Sequence, residues 1–299
     1  MLLYDLTNTF KIEDVRVRGL LYLVRGLVCA TCGRAATSPV THRRSDPRAM
    51  EAELASADAL PVGHRGGPPL YGRMLKAIRS GHTWGNNVRL LKLPLLLLED
   101  RLYAGAIAQF FWLTEALESA LERLKDEPMV AKVLALGLTP LAPGYAADLR
   151  QIYGEKWREE AAAVRTRATD NYVAILNSTT EAVPIVAASF ILYGALVVGG
   201  GKSTQLKVRK VLPSCEHVLF DVAPDMKEAR SKFKSTFTAV GKEWPEEFER
   251  LASEAARFMD LNNTVVWSVN CWGRRATLWT LGAAGAVGAV LAAARWARS

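Results

Sequence analysis

The chain is poor in cysteine, with four in 299 residues. Four thiols in a chain this long do not build a disulfide framework. Cys29 and Cys32 form a lone CxxC, while Cys215 and Cys271 stand alone. The second pair that a structural zinc ribbon needs is missing, as is the βαβ context of a thioredoxin-type site. Long runs of Lys or Arg are missing too. The net charge is +8, but the cations are spread along the chain. That distribution excludes a nucleic-acid tail and points to a solvated basic surface, with a bias toward anionic lipid, acidic protein or an anionic cofactor. Alternating strand patterns are scarce, so the expected class is all-α.

One nucleotide motif is incomplete. Gly199-Gly200-Gly201-Lys202-Ser203-Thr204 follows an apolar run, as a phosphate-binding loop would. The pattern needs a further glycine where Leu196 stands, and no strand–helix alternation surrounds it. No nucleotide partner is expected.

Residues 276–294 carry no charge over 19 positions. At about 1.5 Å per residue they just span a hydrocarbon core of about 30 Å. Arg274 and Arg275 precede the stretch, Arg295 and Arg298 follow it, and Trp279 and Trp296 stand near its ends, as interfacial anchors do. Gly282/Ala286 and Gly285/Ala289 give small faces suited to another membrane helix. Residues 274–299 are therefore expected to be a single-pass tail anchor, with membrane lipid and membrane-protein partners. Residues 1–70 read as an extension and linker that targets the chain or wraps a partner. Within them, residues 16–45 carry Arg16, Arg18, Arg25, Arg34, Arg43 and Arg44 and no acid, which resembles an organelle-targeting segment. Asp5, Glu13 and Asp14 come first, which is unusual for a cleaved presequence. A mitochondrial membrane is favoured, with the endoplasmic reticulum or a plastid-type organelle left open.

Between 71 and 270 the periodicity is helical. Helices are expected over 99–125, 144–165, 168–181, 184–198, 224–240 and 244–270, with Pro224 and Pro245 at the last two starts. Three segments suggest a haem site. His82 lies near the start of a helix-like stretch, the apolar helix 184–198 breaks at glycines, and Lys234 follows Phe233. A neutral histidine ligates iron, a glycine-kinked helix lets backbone approach closely, and basic side chains hold propionates.

The order of these segments resembles the haem oxygenase family. Arg79 and His82-Thr83 match its proximal motif. Phe110-Phe111-Trp112 through Glu122-Arg123 match its aromatic helix, and Asp148, Tyr153, Gly154 and Trp157 an acid followed by Tyr-Gly-x-x-Trp. Tyr172-Val173, Tyr193, Gly199-Gly200, Phe233-Lys234 and Ala255 through Asn262 follow in order. The resemblance implies a haem oxygenase-like helical domain over 71–270, haem b as cofactor, His82 as iron ligand, and Arg79, Tyr193, Gly199, Gly200 and Lys234 at the cofactor. It also exposes departures. The family's distal Gly-Asp-Leu-Ser-Gly-Gly reads Ala195-Leu196-Val197-Val198-Gly199-Gly200 here. The aspartate that orders a proton-donating water is Leu196, which can neither hydrogen-bond nor relay a proton. A family arginine aligns with Leu192, and a second basic partner with Thr238. The expected function is a domain that has lost ring opening and serves as an accessory subunit at a membrane. The alternatives are an active biliverdin-producing oxygenase, and a haem carrier or sensor. His42, His64 and His217 have no comparable context.

Overall fold

In the computed structural model the described residues are 69–199, 201–275, and 277, 278, 281, 282, 285, 288 and 295. Cys29, Cys32, the Arg-rich segment and Gly200 lie outside them. No strand occurs among the described residues. The helices whose bounds lie among residues 69–270 follow in order: α1 (Leu70–Leu96), α2 (Asp100–Arg123), α3 (Pro128–Leu134), α4 (Leu141–Tyr153), α5 (Trp157–Ala163), α6 (Arg167–Ser178), α7 (Ala182–Val197), α8 (Gly201–Val211), α9 (Met226–Glu243) and α10 (Phe248–Ser268). Short 3-10 turns at Val218–Phe220 and Pro245–Glu247 separate the last of them.

The helix bounds follow from local chemistry. Thr166 caps α6 through the Thr169 N–H. Asp225, not Pro224, caps α9, accepting from Lys227 and Glu228 at 2.7 and 3.1 Å. Pro245 opens the 3-10 turn before α10. The stretch 144–165 is two helices rather than one. The chain turns at Gly154, whose φ of 78° favours glycine, and α5 restarts at Trp157. His82 is likewise not near a helix start. It lies mid-way along α1, a 27-residue helix that runs through Gly81, Gly85 and Pro94.

α7 is apolar on every side and is the buried centre of the domain. Ala195 is its one exposed residue. α7 and α1 both pack on α10. Phe190 of α7 joins Tyr71, Phe233 and Phe237 in an aromatic cluster with centroids 5.0–5.9 Å from its own. Against α10, α1 comes close enough for the Asn263 amide to donate to the Gly81 carbonyl at 2.8 Å. A methyl at Gly85 would overlap Asn263 Oδ1.

No single helix among the described residues is long and apolar enough to cross a bilayer. Most of the 276–294 segment lies outside them. Its described members before Arg295 are helical, Leu278 and Leu281 are exposed, and a methyl at Gly282, Gly285 or Gly288 would meet open space. The segment's start is tied down. Arg275 donates its backbone N–H to Glu99 at 2.6 Å and its guanidinium to the Leu98 carbonyl at 3.2 Å.

Candidate functional site

Helical spacing puts Ile78, His82, Gly85, Asn86 and Arg89 on one inward stripe of α1. His82 is half-buried rather than solvent-facing. Burial, reinforced by the Arg89 charge, pulls its pKa down to about 4, so the ring is neutral at physiological pH. Asn86, one turn on, faces His82 Nδ1 at 3.4 Å through its amide nitrogen, and its amide oxygen accepts from Arg89 at 3.3 Å. A guanidinium can only donate, so it orients the amide with NH2 toward the histidine. The ring then accepts at Nδ1 and carries its proton on Nε2.

The other expected cofactor residues do not converge on His82. Arg79 is exposed, and its carbonyl accepts from Thr83. Tyr193 is buried and donates to Glu118, which also accepts from the Leu141 and Ala142 N–H groups at the start of α4. Burial raises the Glu118 carboxyl, against these hydrogen bonds. Tyr193 and Ser189 line a cavity of about 40 Å³ with Leu121, Val133 and Phe233, which has room for water and not for a macrocycle. Lys234 lies over the Tyr71 ring at 6.0 Å, eleven residues or about 16 Å along α1 from His82. Gly199 closes α7, its N–H donating to the Gly194 carbonyl at 3.0 Å. Beyond it, Gly201-Lys202-Ser203-Thr204 begins α8, and Lys202 pairs with Asp221.

The aromatic residues that carried the resemblance hold the scaffold. Phe111 meets Trp112 at 4.8 Å and Trp157 at 5.2 Å, with Arg158 over all three rings. Tyr172 packs on Phe258 at 5.4 Å.

A second polar site was hidden in the sequence. Asp148 of α4 is fully buried and accepts from the Val218 and Leu219 N–H groups at 2.8 and 3.1 Å. Burial raises its carboxyl, and these bonds offset part of that. His217 and Cys215 are also buried, on the loop after α8, and burial pushes the Cys215 thiol up to about 12. His217 Nε2 meets the Leu212 carbonyl at 2.8 Å, and Gln205 donates to the His217 carbonyl at 2.8 Å. The Tyr103 ring stands edge-on to the His217 ring at 5.3 Å. Nothing in the sequence joins residues 67 positions apart. The only local hint is that Asp148, an acid in an apolar stretch of α4, is costly to bury unless hydrogen-bonded.

The sequence profile described as "Heme oxygenase" matches residues 71–267. Heme oxygenase 2 from Chlamydomonas reinhardtii, solved without haem, superposes with a TM-score of 0.63 at 26% identity, over 69% of this chain and 99% of that one. Heme oxygenase-2 from Synechocystis, in complex with haem and NO, gives 0.56 at 21%, over 67% and 85%. Heme oxygenase-1 from the same cyanobacterium, in complex with haem, gives 0.56 at 19%, over 76% and 99%. These last two show the fold alone. No curated protein compared with the chain matches it. With a profile match across α1 to α10, and helices in the family's arrangement, the chain belongs to the haem oxygenase family.

Proposed function

We propose that this chain is a haem oxygenase fold without haem turnover, held at a membrane as an accessory component of a larger complex. One observation carries the first half of that reading: α7 has no free polar side chain. Its only hydroxyls are those of Ser189 and Tyr193. Ser189 donates to the Ile185 carbonyl at 2.9 Å, and Tyr193 is committed to Glu118. Leu196 and Val198 stand where the resemblance implies an aspartate and a serine. No side chain there can hold a water or move a proton at a cofactor. The other donors do not fit turnover either. The proton of His82 sits on Nε2, Lys234 is held over Tyr71, and Arg79 faces solvent.

The membrane half rests on the charge-free segment 276–294, its exposed described leucines, and the surface beside its start. Trp84, Leu90, Leu91, Trp267 and Trp272 are all exposed there, with the Trp84 and Trp267 rings 6.0 Å apart. Such amphipathic rings suit the headgroup level of a bilayer. The Arg-rich, acid-poor segment 16–45 supports a mitochondrial address.

A second reading, haem carriage without chemistry, draws on two observations. His82 is neutral at physiological pH, as an iron ligand must be, and Ala195 is the exposed residue of α7. When bound, haem would supply an iron that accepts an imidazole nitrogen. His82 could then serve only with the Asn86 amide turned over.

The test is haem titration of the full chain in detergent, followed by turnover with a reductase. Turnover is expected to stay at the level without protein. Biliverdin formed at a rate that falls in His82→Ala would sink the proposal. A saturable Soret band lost in His82→Ala, with no product, would select the carrier. For the anchor, Val287→Arg puts a charge mid-segment at a cost of about 2.5–3.5 kcal/mol. The native chain should float with phosphatidylcholine vesicles after alkaline washing, and the variant should shift to the soluble fraction. A native chain that washes off would refute the anchor.

A further inference from the structure

Outside the expected haem region the described residues hold one cluster of potential metal donors. We propose that Asp148, Cys215 and His217 bind a zinc-class divalent metal ion, which pins the loop after α8 to α4. The ligand atoms of the three residues lie within 4.8 Å of one another, and all three residues are buried.

Each donor has a coordination valence to spare. The two Asp148 oxygens each accept one backbone N–H, which leaves a lone pair on both. The Cys215 thiol makes a long contact, 3.9 Å, to the Asp148 carbonyl oxygen, and hydrogen bonds link it to the Asp148 carboxyl and the His217 N–H, which still leaves a lone pair on the sulfur. His217 is the most telling. Its Nε2 is committed to the Leu212 carbonyl, which can only accept, so the ring proton sits on Nε2. The Nδ1 lone pair is thereby presented, yet Nδ1 is buried with no hydrogen-bond partner. A ring whose far N–H is held by a carbonyl is the usual support of a metal-bound histidine. The Tyr103 hydroxyl is a second orphaned buried polar atom beside the same ring, and is a candidate fourth donor.

Charge balance selects the ion. One carboxylate and one thiolate neutralise a divalent cation, so a buried site carries no net charge. Thiolate, imidazole and carboxylate together suit zinc rather than magnesium or calcium, which take oxygen. On binding, the metal–sulfur bond replaces the S–H bond and the proton leaves to solvent. The ligands come from α4 and from a loop some 67 residues later, so the site would form as the fold closes.

The test uses the full, haem-free chain carrying Cys29→Ser, Cys32→Ser and Cys271→Ser, which leaves Cys215 as the single thiol. Produced with zinc, it should retain one equivalent per chain after dialysis against a weak chelator. Produced with cobalt, it should show thiolate-to-cobalt charge-transfer absorption. Cys215→Ser should abolish that band. It should also weaken zinc retention by more than the roughly 10–100-fold that loss of an outer-shell partner costs. Should Cys215→Ser misfold, His217→Asn replaces it, since asparagine tolerates the left-handed backbone at φ 57°. A folded parent chain with substoichiometric zinc and no charge-transfer band overturns the proposal, and no variant is needed to read that result.

Discussion

Replacing Asp148 with alanine should destabilise the helical domain by about 3–6 kcal/mol, because two hydrogen bonds to a charged acceptor are lost at once, at about 1.5–3 kcal/mol each. The carboxylate is fully buried, and water cannot take its place at the Val218 and Leu219 N–H groups. Those groups belong to the turn that packs on α4 at Gly144, where a methyl would meet the Leu219 backbone at 3.0 Å. The damage should therefore include undocking of 212–221. Asp148→Asn keeps one acceptor oxygen and should recover about half of the loss. Denaturant midpoints of the metal-free chain decide the matter. A loss below about 1 kcal/mol for alanine would mean that the turn finds other partners. Set against a total of about 5–15 kcal/mol for a domain, the expected loss is large.

The second large effect is on acid stability. His82 titrates near 4 in the folded chain and near 6.5 when unfolded, chiefly because burial opposes its charge and Arg89 adds repulsion. Between these values the unfolded chain binds more protons, so stability rises with pH there. The contribution is complete above about 6.5 and is lost as pH falls toward 4. At pH 5 it amounts to about 2 kcal/mol relative to pH 7.5. His82→Gln should remove that part of the acid limb, leaving the slopes due to carboxyl groups. Unfolding at the two pH values, native against variant, isolates the difference. An unchanged slope in the variant would place His82 in water when folded. Iron ligation by His82 would steepen the limb, since the ligated ring must also stay neutral.

Much of the architecture was legible in the sequence because the amphipathic helices repeat their apolar positions every three to four residues. α2, α6 and α9 fall within three residues of their expected bounds. Where expectation and structure part, the reasons are local. The turn at Gly154 depends on a positive φ that periodicity cannot register, so α4 and α5 read as one helix. Gly81 and Gly85 are close-approach points for Asn263 across the interface of α1 with α10, which no local pattern announces. The candidate site was less legible. Motif order led to His82 and to the apolar replacement at Leu196. It could not place Lys234 against Tyr71 or Tyr193 against Glu118, because those pairings are tertiary. Likewise, Cys215 and His217 stood without context until the loop after α8 folded back onto Asp148.

The collar at Glu99 has a consequence for how the molecule would sit in an assembly. It grips the Arg275 backbone at the elbow between α1 and α2, and Gly273 approaches the same carboxylate so closely that a side chain there would push it aside. The chain is therefore tied to the domain at Arg275, one residue before the charge-free segment begins. A tail seated among other membrane helices would set the azimuth of the whole domain, much as a keyed shaft sets a dial. On the membrane reading proposed above, a twist of the tail would be felt first at the elbow between α1 and α2, through Arg275, Glu99 and Leu98.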